Sequence, residues 1–266
     1  MIPNILSIAG SDPSGGAGIQ ADLKAISANG GYGMAALTGL TAQNTRGVSG
    51  IHMVPPAFVT AQIEAVFDDI RVDAVKIGML GDAAVIAAVA QVLEICTCPI
   101  VLDPVMVAKS GDRLLAAKAV EALREVLIPR AAVITPNLPE AADLLDRAEA
   151  QDRAQMEEQA AALLTLGPDM VLLKGGHLGG NDSPDLLMSA NRALWLESPR
   201  YATRNSHGTG CSLSSALATR LVLSDDAEQA VESAKSYVSK AISGADRLSV
   251  GQGHGPLDHF WMLRNN

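Results

Sequence analysis

Short apolar runs alternate along the chain with longer amphipathic stretches. Residues 4–9 are apolar and stop at Gly10; a Gly/Pro/Ser loop and an amphipathic stretch over 17–28 follow, which predicts strand, loop and helix. The alternation continues with strands over 34–41, 74–78, 100–103, 132–135 and 170–174, and with helices over 56–69, 82–95, 115–126, 139–146 and 151–166. Strands separated by helices of this length imply βαβ units, hence an α/β protein whose mostly parallel central sheet is covered by helices on both faces. Past Lys174 the pattern changes: 185–188 and 193–197 read as a hairpin turned at Ala190-Asn191, and helices over 210–222 and 227–246 follow. No linker, repeat or charge block interrupts the 266 residues, so one domain over 1–266 is expected.

In such a sheet, chemistry sits in the loops at the carboxyl ends of strands. Polar residues gather there: Ser11 and Asp12 after the first strand, Gln43 and Asn44 after the second, Asp103 after 100–103, Asn137 and Glu140 after 132–135, and Lys174 with Gly175, Gly176 and His177 after 170–174. Turn formers would explain any one of these clusters; five on one edge point to a site.

Composition narrows the partner. The chain carries 20 Lys and Arg against 29 Asp and Glu, a net charge of −9, and only 3 Phe, 2 Trp and 3 Tyr. Neither a basic surplus for phosphate backbones nor a set of stacking rings is present, so nucleic acid is excluded as a partner. The longest uncharged stretches are broken by glycines over 25–45 and by Glu94 and Pro99 over 83–102, so no membrane span is expected. The start of the chain lacks the basic flank of a signal peptide, and the three cysteines, Cys96, Cys98 and Cys211, form no disulfide framework; a cytoplasmic protein is expected. Cys96 and Cys98 have no second Cys/His pair to make a zinc site and are expected to be buried structural residues.

The glycine loop over 10–18 contains Gly16-Ala17-Gly18-Ile19-Gln20-Ala21, which fits the letter of a dinucleotide fingerprint. No acidic residue ends the second strand to hold a ribose, and no Gly-x-x-x-x-Gly-Lys-Ser/Thr occurs, so neither a dinucleotide nor a P-loop reading is favoured. The sharper signal is Asn205-Ser206-His207-Gly208-Thr209-Gly210-Cys211-Ser212 ahead of an evident helix. Free N–H groups and the helix dipole there suit a phosphate or a developing phosphoryl group, with Ser206 or Thr209 as a plain N-cap the alternative. Cys211 in the first turn would have its thiol pKa lowered by the same field. Asp103 and Glu140 would face one crevice as like charges, costly unless a cation joins them, and magnesium brought by a nucleotide is the obvious one. Glu140 could equally be an early-helix acid favoured by the dipole. Lys174, capping an apolar run before two glycines, suits phosphate neutralisation.

Taken together, the segments 9–22, 41–45, 76–80, 103–106, 135–141, 174–177 and 207–211, with Gly253-His254-Gly255-Pro256-Leu257 near the end, resemble the hydroxymethylpyrimidine/phosphomethylpyrimidine kinases of thiamine biosynthesis, within the ribokinase superfamily. The resemblance implies a ribokinase-like three-layer fold and the use of ATP and Mg2+ to phosphorylate a pyrimidine alcohol and then its monophosphate; a homodimer is expected, though the sequence itself leaves the oligomeric state open. It implies that Gln43 hydrogen-bonds the pyrimidine in a pocket formed by Gly10, Asp22, Met79 and Val107. Asp103, Asn137 and Glu140 would serve Mg-ATP, with Asp103 and Glu140 nearest the metal and Lys174 on the phosphates. The amides of Gly208, Thr209, Gly210 and Cys211 would form the anion hole, and Cys211 stands where most ribokinase-like sugar kinases have an Asp base. A pyridoxal or pyridoxine kinase of the same superfamily is the nearest alternative, and a non-catalytic sensor on this fold the alternative of another class. Residues 105–112 are the candidate lid, and Tyr32 is the one aromatic residue near the proposed site in sequence.

Overall fold

The computed structural model describes residues 1–106 and 117–264. Among them, nine strands form one sheet: β1 (Asn4–Ser11), β2 (Tyr32–Asn44), β3 (Gly47–Met53), β4 (Ala74–Ile77), β5 (Ile100–Leu102), β6 (Val133–Ile134), β7 (Met170–Lys174), β8 (Asp185–Ser189) and β9 (Arg192–Leu196). Their order is β3-β2-β1-β4-β5-β6-β7-β8-β9. The six strands from β2 to β7 in that order are parallel, and β3, β8 and β9 add antiparallel edges.

The helices divide between the faces. Helices α1 (Gly18–Ala28), α7 (Thr209–Leu223) and α8 (Ala227–Ser243) cover one face and share a core with Ile5, Val101, Val133 and Leu172. Helices α2 (Pro56–Asp69), α3 (Ala83–Val92), α4 (Ala117–Ala122), α5 (Leu138–Leu145) and α6 (Arg153–Leu164) lie over the other face, where Leu6, Ile8, Ile77, Leu102 and Leu173 make the larger cluster. Consecutive residues of one strand therefore feed opposite cores, which is why these strands read as continuous apolar runs. The expected three layers are present, and α2 and β7 begin and end where the pattern places them.

Three expectations are corrected. The sequence pattern stops the second strand at Thr41, whereas β2 continues to Asn44 and turns back into β3. Most of β3 is exposed, so it lacks the apolar signature of a core strand. Tyr32 begins β2 and is 59% exposed at the amino end of the strand, far along it from Gln43; it is not a ring of the site. Cys96 and Cys98 are half-buried against the larger core with their sulfurs 2.9 Å apart, less enclosed than expected.

Because β1 pairs with β2 on one side and β4 on the other, the chain reverses its direction of winding there. That reversal opens a crevice beyond the carboxyl ends of the strands.

Candidate active site

The loop leaving β1 is held by Asp12, almost fully buried. Its carboxylate accepts from the N–H groups of Ser14 and Ala17, each at 2.9 Å, and from Nε2 of His207 at 2.8 Å. Burial works against ionisation, but the hydrogen bonds from His207 and Ser14 outweigh it and hold the carboxyl below the usual range. Two glycines let the segments close up. Gly18 has φ +54° with its Cα against the Gly10 carbonyl, and Gly208 has φ +80° with its Cα against the Gly16 carbonyl. A side chain at either would collide with a backbone oxygen in a left-handed conformation, so only glycine fits.

Gln43, next to last in β2, has its amide 3.0 Å from Thr41 Oγ1 and 3.3 Å from His207 Nε2. Met79, just past β4, lays its methyl against the space a Gly10 side chain would fill, and its carbonyl accepts from Thr38 Oγ1 at 2.6 Å. Gly10, Gln43 and Met79 thus meet on one wall.

Opposite them, Lys174 at the end of β7 points its Nζ 2.8 Å from Asp103 Oδ1 and 3.8 Å from Glu140 Oε2. The cation that joins the two carboxylates is therefore the protein's own ammonium. The Asp103 and Glu140 charges hold Lys174 above its usual range in spite of its burial. Asn137 and Glu140 form a capping box on α5: Asn137 Oδ1 accepts from the Glu140 N–H at 2.9 Å, and Glu140 Oε2 from the Asn137 N–H at 2.8 Å. Glu140 is thus both a cap residue of α5 and part of the cavity lining. Burial foremost, opposed by Lys174 and reinforced by Asp103, pushes its carboxyl up to about 7.

The third element is the start of α7. Its N-cap is Gly208, without a side-chain cap, so neither Ser206 nor Thr209 occupies the first-turn N–H groups; the Thr209 hydroxyl instead donates to the Ser206 carbonyl at 2.7 Å. Gly210 abuts both Lys174 and Asp103, the nearest side-chain atoms to the place its Cβ would take. Uncapped amides, a helix dipole and an ammonium thus converge.

Cys211 is part-exposed to the cavity yet enclosed by protein around its sulfur. The expected lowering of its thiol does not occur. Burial foremost pushes it up to about 11, with Asp22 and Asp103 adding to the rise and Lys76 opposing it. Asp22 corrects a second expectation. It does not line the cavity but lies beneath it, fully buried, bonded to Lys76, Ser7 and Ser215. Lys76, a residue that the sequence pattern hid inside the apolar strand β4, does reach the cavity wall. Its ammonium is kept above the usual range by Asp22 against the penalty of burial.

A cavity of about 1240 Å³ runs across these elements. It brings together Gly10, Gln43 and Met79 at one end and Asp103, Asn137, Glu140 and Lys174 at the other. Gly208, Thr209, Gly210 and Cys211 lie between, and His177 also borders it. Val107 lies outside the described residues, as does most of the candidate lid over 105–112. Tyr201, which no motif singled out, contributes a ring to the wall. Among the described residues no group of three or more His, Cys, Asp and Glu is arranged to hold a metal, and no helix is long and apolar enough to cross a membrane.

This fold, with an uncapped glycine-rich helix start facing a lysine and two carboxylates at the sheet's carboxyl edge, defines a small-molecule kinase of the ribokinase-like class. The family model described as phosphomethylpyrimidine kinase matches residues 12–258, and the chain belongs to that family. It is 50% identical over 258 residues to a hydroxymethylpyrimidine/phosphomethylpyrimidine kinase of Escherichia coli, covering 97% of each chain. A protein of the same description from Rhizobium meliloti is 52% identical over 255 residues, covering 96% of each. Among solved structures, a Bacillus subtilis pyridoxal kinase in an ADP complex superposes with a TM-score of 0.91 at 35% identity over the whole of both chains. A phosphomethylpyrimidine kinase from Clostridium difficile superposes with a TM-score of 0.80 at 42% identity, covering 90% of this chain and 99% of that one.

Proposed function

We propose that the chain uses ATP to phosphorylate 4-amino-5-hydroxymethyl-2-methylpyrimidine, and then its monophosphate to the diphosphate, in thiamine biosynthesis. The observation that carries this reading is the placement of Lys174 and Asp103 against Gly210, where the first-turn amides of α7 are left uncapped. In this reading the pyrimidine lies between Gln43, Met79 and Gly10, and its hydroxymethyl group points at the start of α7. The transferred phosphoryl group is met by the N–H groups of Gly208 to Cys211 and by Lys174.

Phosphoryl transfer passes through a loose transition state, so positioning and charge neutralisation outweigh base strength. That suits a thiol at about 11, which holds little thiolate near neutrality. The small thiolate fraction of Cys211 accepts the hydroxyl proton late in the transfer and becomes the thiol, and the phosphomonoester, already an anion, has less need of it. Asp103 and Glu140 are oxygen donors of the kind a hard divalent cation takes, and since the Lys174 ammonium already joins them, the cation would arrive with the nucleotide phosphates as further ligands. We assign Mg2+ to these two carboxylates, where it would neutralise charge on the nucleotide phosphates.

The proposal includes a single working domain over 1–266, a homodimer and a cytoplasmic location, the last supported by three free cysteines. Sedimentation of the purified protein checks the dimer. Pyridoxal phosphorylation is the second reading, favoured by the close superposition on the Bacillus subtilis pyridoxal kinase. Incubation with magnesium, ATP and either the pyrimidine alcohol or pyridoxal, with products weighed by mass spectrometry, tests both: mono- and diphosphate from the pyrimidine support the main reading, and product from pyridoxal alone overturns it.

A further inference from the structure

His207 offers one ring nitrogen, Nε2, to two neighbours: Asp12 Oδ2 at 2.8 Å and the Gln43 amide nitrogen at 3.3 Å. An ionised carboxylate only accepts, so Nε2 carries the proton and donates to Asp12. It then has no lone pair for Gln43. At the other end of the amide, Thr41 Oγ1 lies 3.0 Å from Gln43 Oε1 and 2.9 Å from the Ser11 carbonyl, one proton facing two acceptors. The two ends of a carboxamide have the same shape, and the partners decide which is which. A half-turn of the amide removes both conflicts. Thr41 then donates to Ser11 and accepts from Gln43 Nε2, while the His207 N–H is shared between Asp12 and Gln43 Oε1.

We propose that Asp12 and His207, with Thr41, lock the Gln43 amide with its carbonyl toward His207 and its NH2 toward Thr41, and so set the order of donor and acceptor that a substrate ring must present. Thr41, two residues back on the same strand, holds one end of the amide and His207, itself fixed by Asp12, holds the other, an arrangement that a residue serving only for packing does not need. The lock leaves one N–H and one carbonyl lone pair of Gln43 for the ligand, the pair with which a glutamine grips an amino group beside a ring nitrogen. His207 directly precedes Gly208, the N-cap of α7, so the amide end it holds is the one nearer the start of that helix, where the functional reading above places the reacting hydroxyl. The ring substituent next to that hydroxyl therefore has to be a donor, and the ring nitrogen beyond it an acceptor. A 4-amino ring meets this order and a 4-oxo ring reverses it. Asp12, His207 and Thr41 act through Gln43 and are positioning residues.

This inference rests on the pyrimidine reading above, and the test separates the two. Wild type, His207→Leu and Thr41→Val are assayed with the 4-amino alcohol and its 4-oxo counterpart, reading kcat and KM for each and the Kd of each ring by calorimetry without ATP. Wild type is expected to prefer the amino ring about tenfold or more. In either variant, with one end of the lock removed, the amide turns and the amino/oxo ratio shrinks toward one, the loss for the amino ring falling mainly in KM and Kd. If both rings weaken by the same factor in both variants, the residues are merely structural and the inference is overturned. If wild type neither binds nor phosphorylates the amino ring, the functional reading fails and takes the inference with it. Thr41→Val keeps the test decisive should His207→Leu not fold.

Discussion

The ammonium of Lys76 lies 2.9 Å from each carboxylate oxygen of Asp22, and neither side chain is exposed. Ser7 and Ser215 add hydroxyl hydrogen bonds to the same carboxylate at 2.7 and 2.8 Å, tying β1, β4, α1 and α7 under the site. Lys76→Met strands a buried negative charge and is expected to cost about 3–5 kcal/mol of stability. Lys76→Met with Asp22→Asn removes both charges and should cost less than the two single changes added together. Urea denaturation of the four proteins measures this.

Cys211 makes a separate expectation about rate. Cys211→Ala should slow phosphorylation of the alcohol far more than that of the monoester. With the wild-type thiol at about 11, the alcohol rate should also climb between pH 8 and 10, a window in which the monoester stays fully ionised and its rate nearly flat. Steady-state rates for both substrates across this range provide the check; equal losses in the alanine variant would remove Cys211 from the proton transfer.

Glu140 links stability to pH. Its carboxyl is raised from 4.5 to about 7, so between those values the folded protein holds a proton that the unfolded chain has released. Stability from this group is greatest at the acid end and is lost as pH rises through about 7. Glu140→Gln, which keeps an acceptor for the α5 cap, should therefore melt above wild type at pH 8, and the gap should close toward pH 4.5. Thermal melts at the two pH values decide it.

Gly208→Ala sets a Cβ against the Gly16 carbonyl at φ +80°. The first turn of α7 has to shift, and with it the amides proposed to meet the phosphoryl group. The loss in kcat should be about two orders of magnitude, the size expected for one lost oxyanion donor. Gly176→Ala, whose nearest neighbour to an added Cβ is the Ser183 hydroxyl at 3.4 Å, serves as the milder comparison.

The layered fold is legible in the sequence because each parallel strand is buried on both faces and so reads as an apolar run. Strand β3 is not, since its residues face solvent and carry no such pattern. Gln43, Lys174, Asp103 and the Gly208–Cys211 turn are legible because they sit where strands or helices meet loops. Lys76 is hidden for the opposite reason: a lysine inside a four-residue core strand has no local signal, and only the tertiary contact with Asp22, 54 residues away, explains it. The state of the Cys211 thiol is not legible in the sequence, because a helix dipole is local and visible there, whereas the burial that outweighs it comes from distant elements. His207 stands in a legible motif, but its partners Asp12 and Gln43 come from the other end of the chain.

That separation bears on synthesis. Asp12 and His207 are 195 positions apart, and Asp22 and Ser215 are 193 apart. While the ribosome is still short of α7, the face of β1 and α1 that packs on it, including Ile5, Ala25 and Ile26, has no cover, and the cavity lacks the part of its wall formed by His207 and Gly208 to Cys211. Nascent chains of that length therefore expose apolar surface of the kind that chaperones and proteases engage. The cavity is therefore complete only once the last third of the chain has been made.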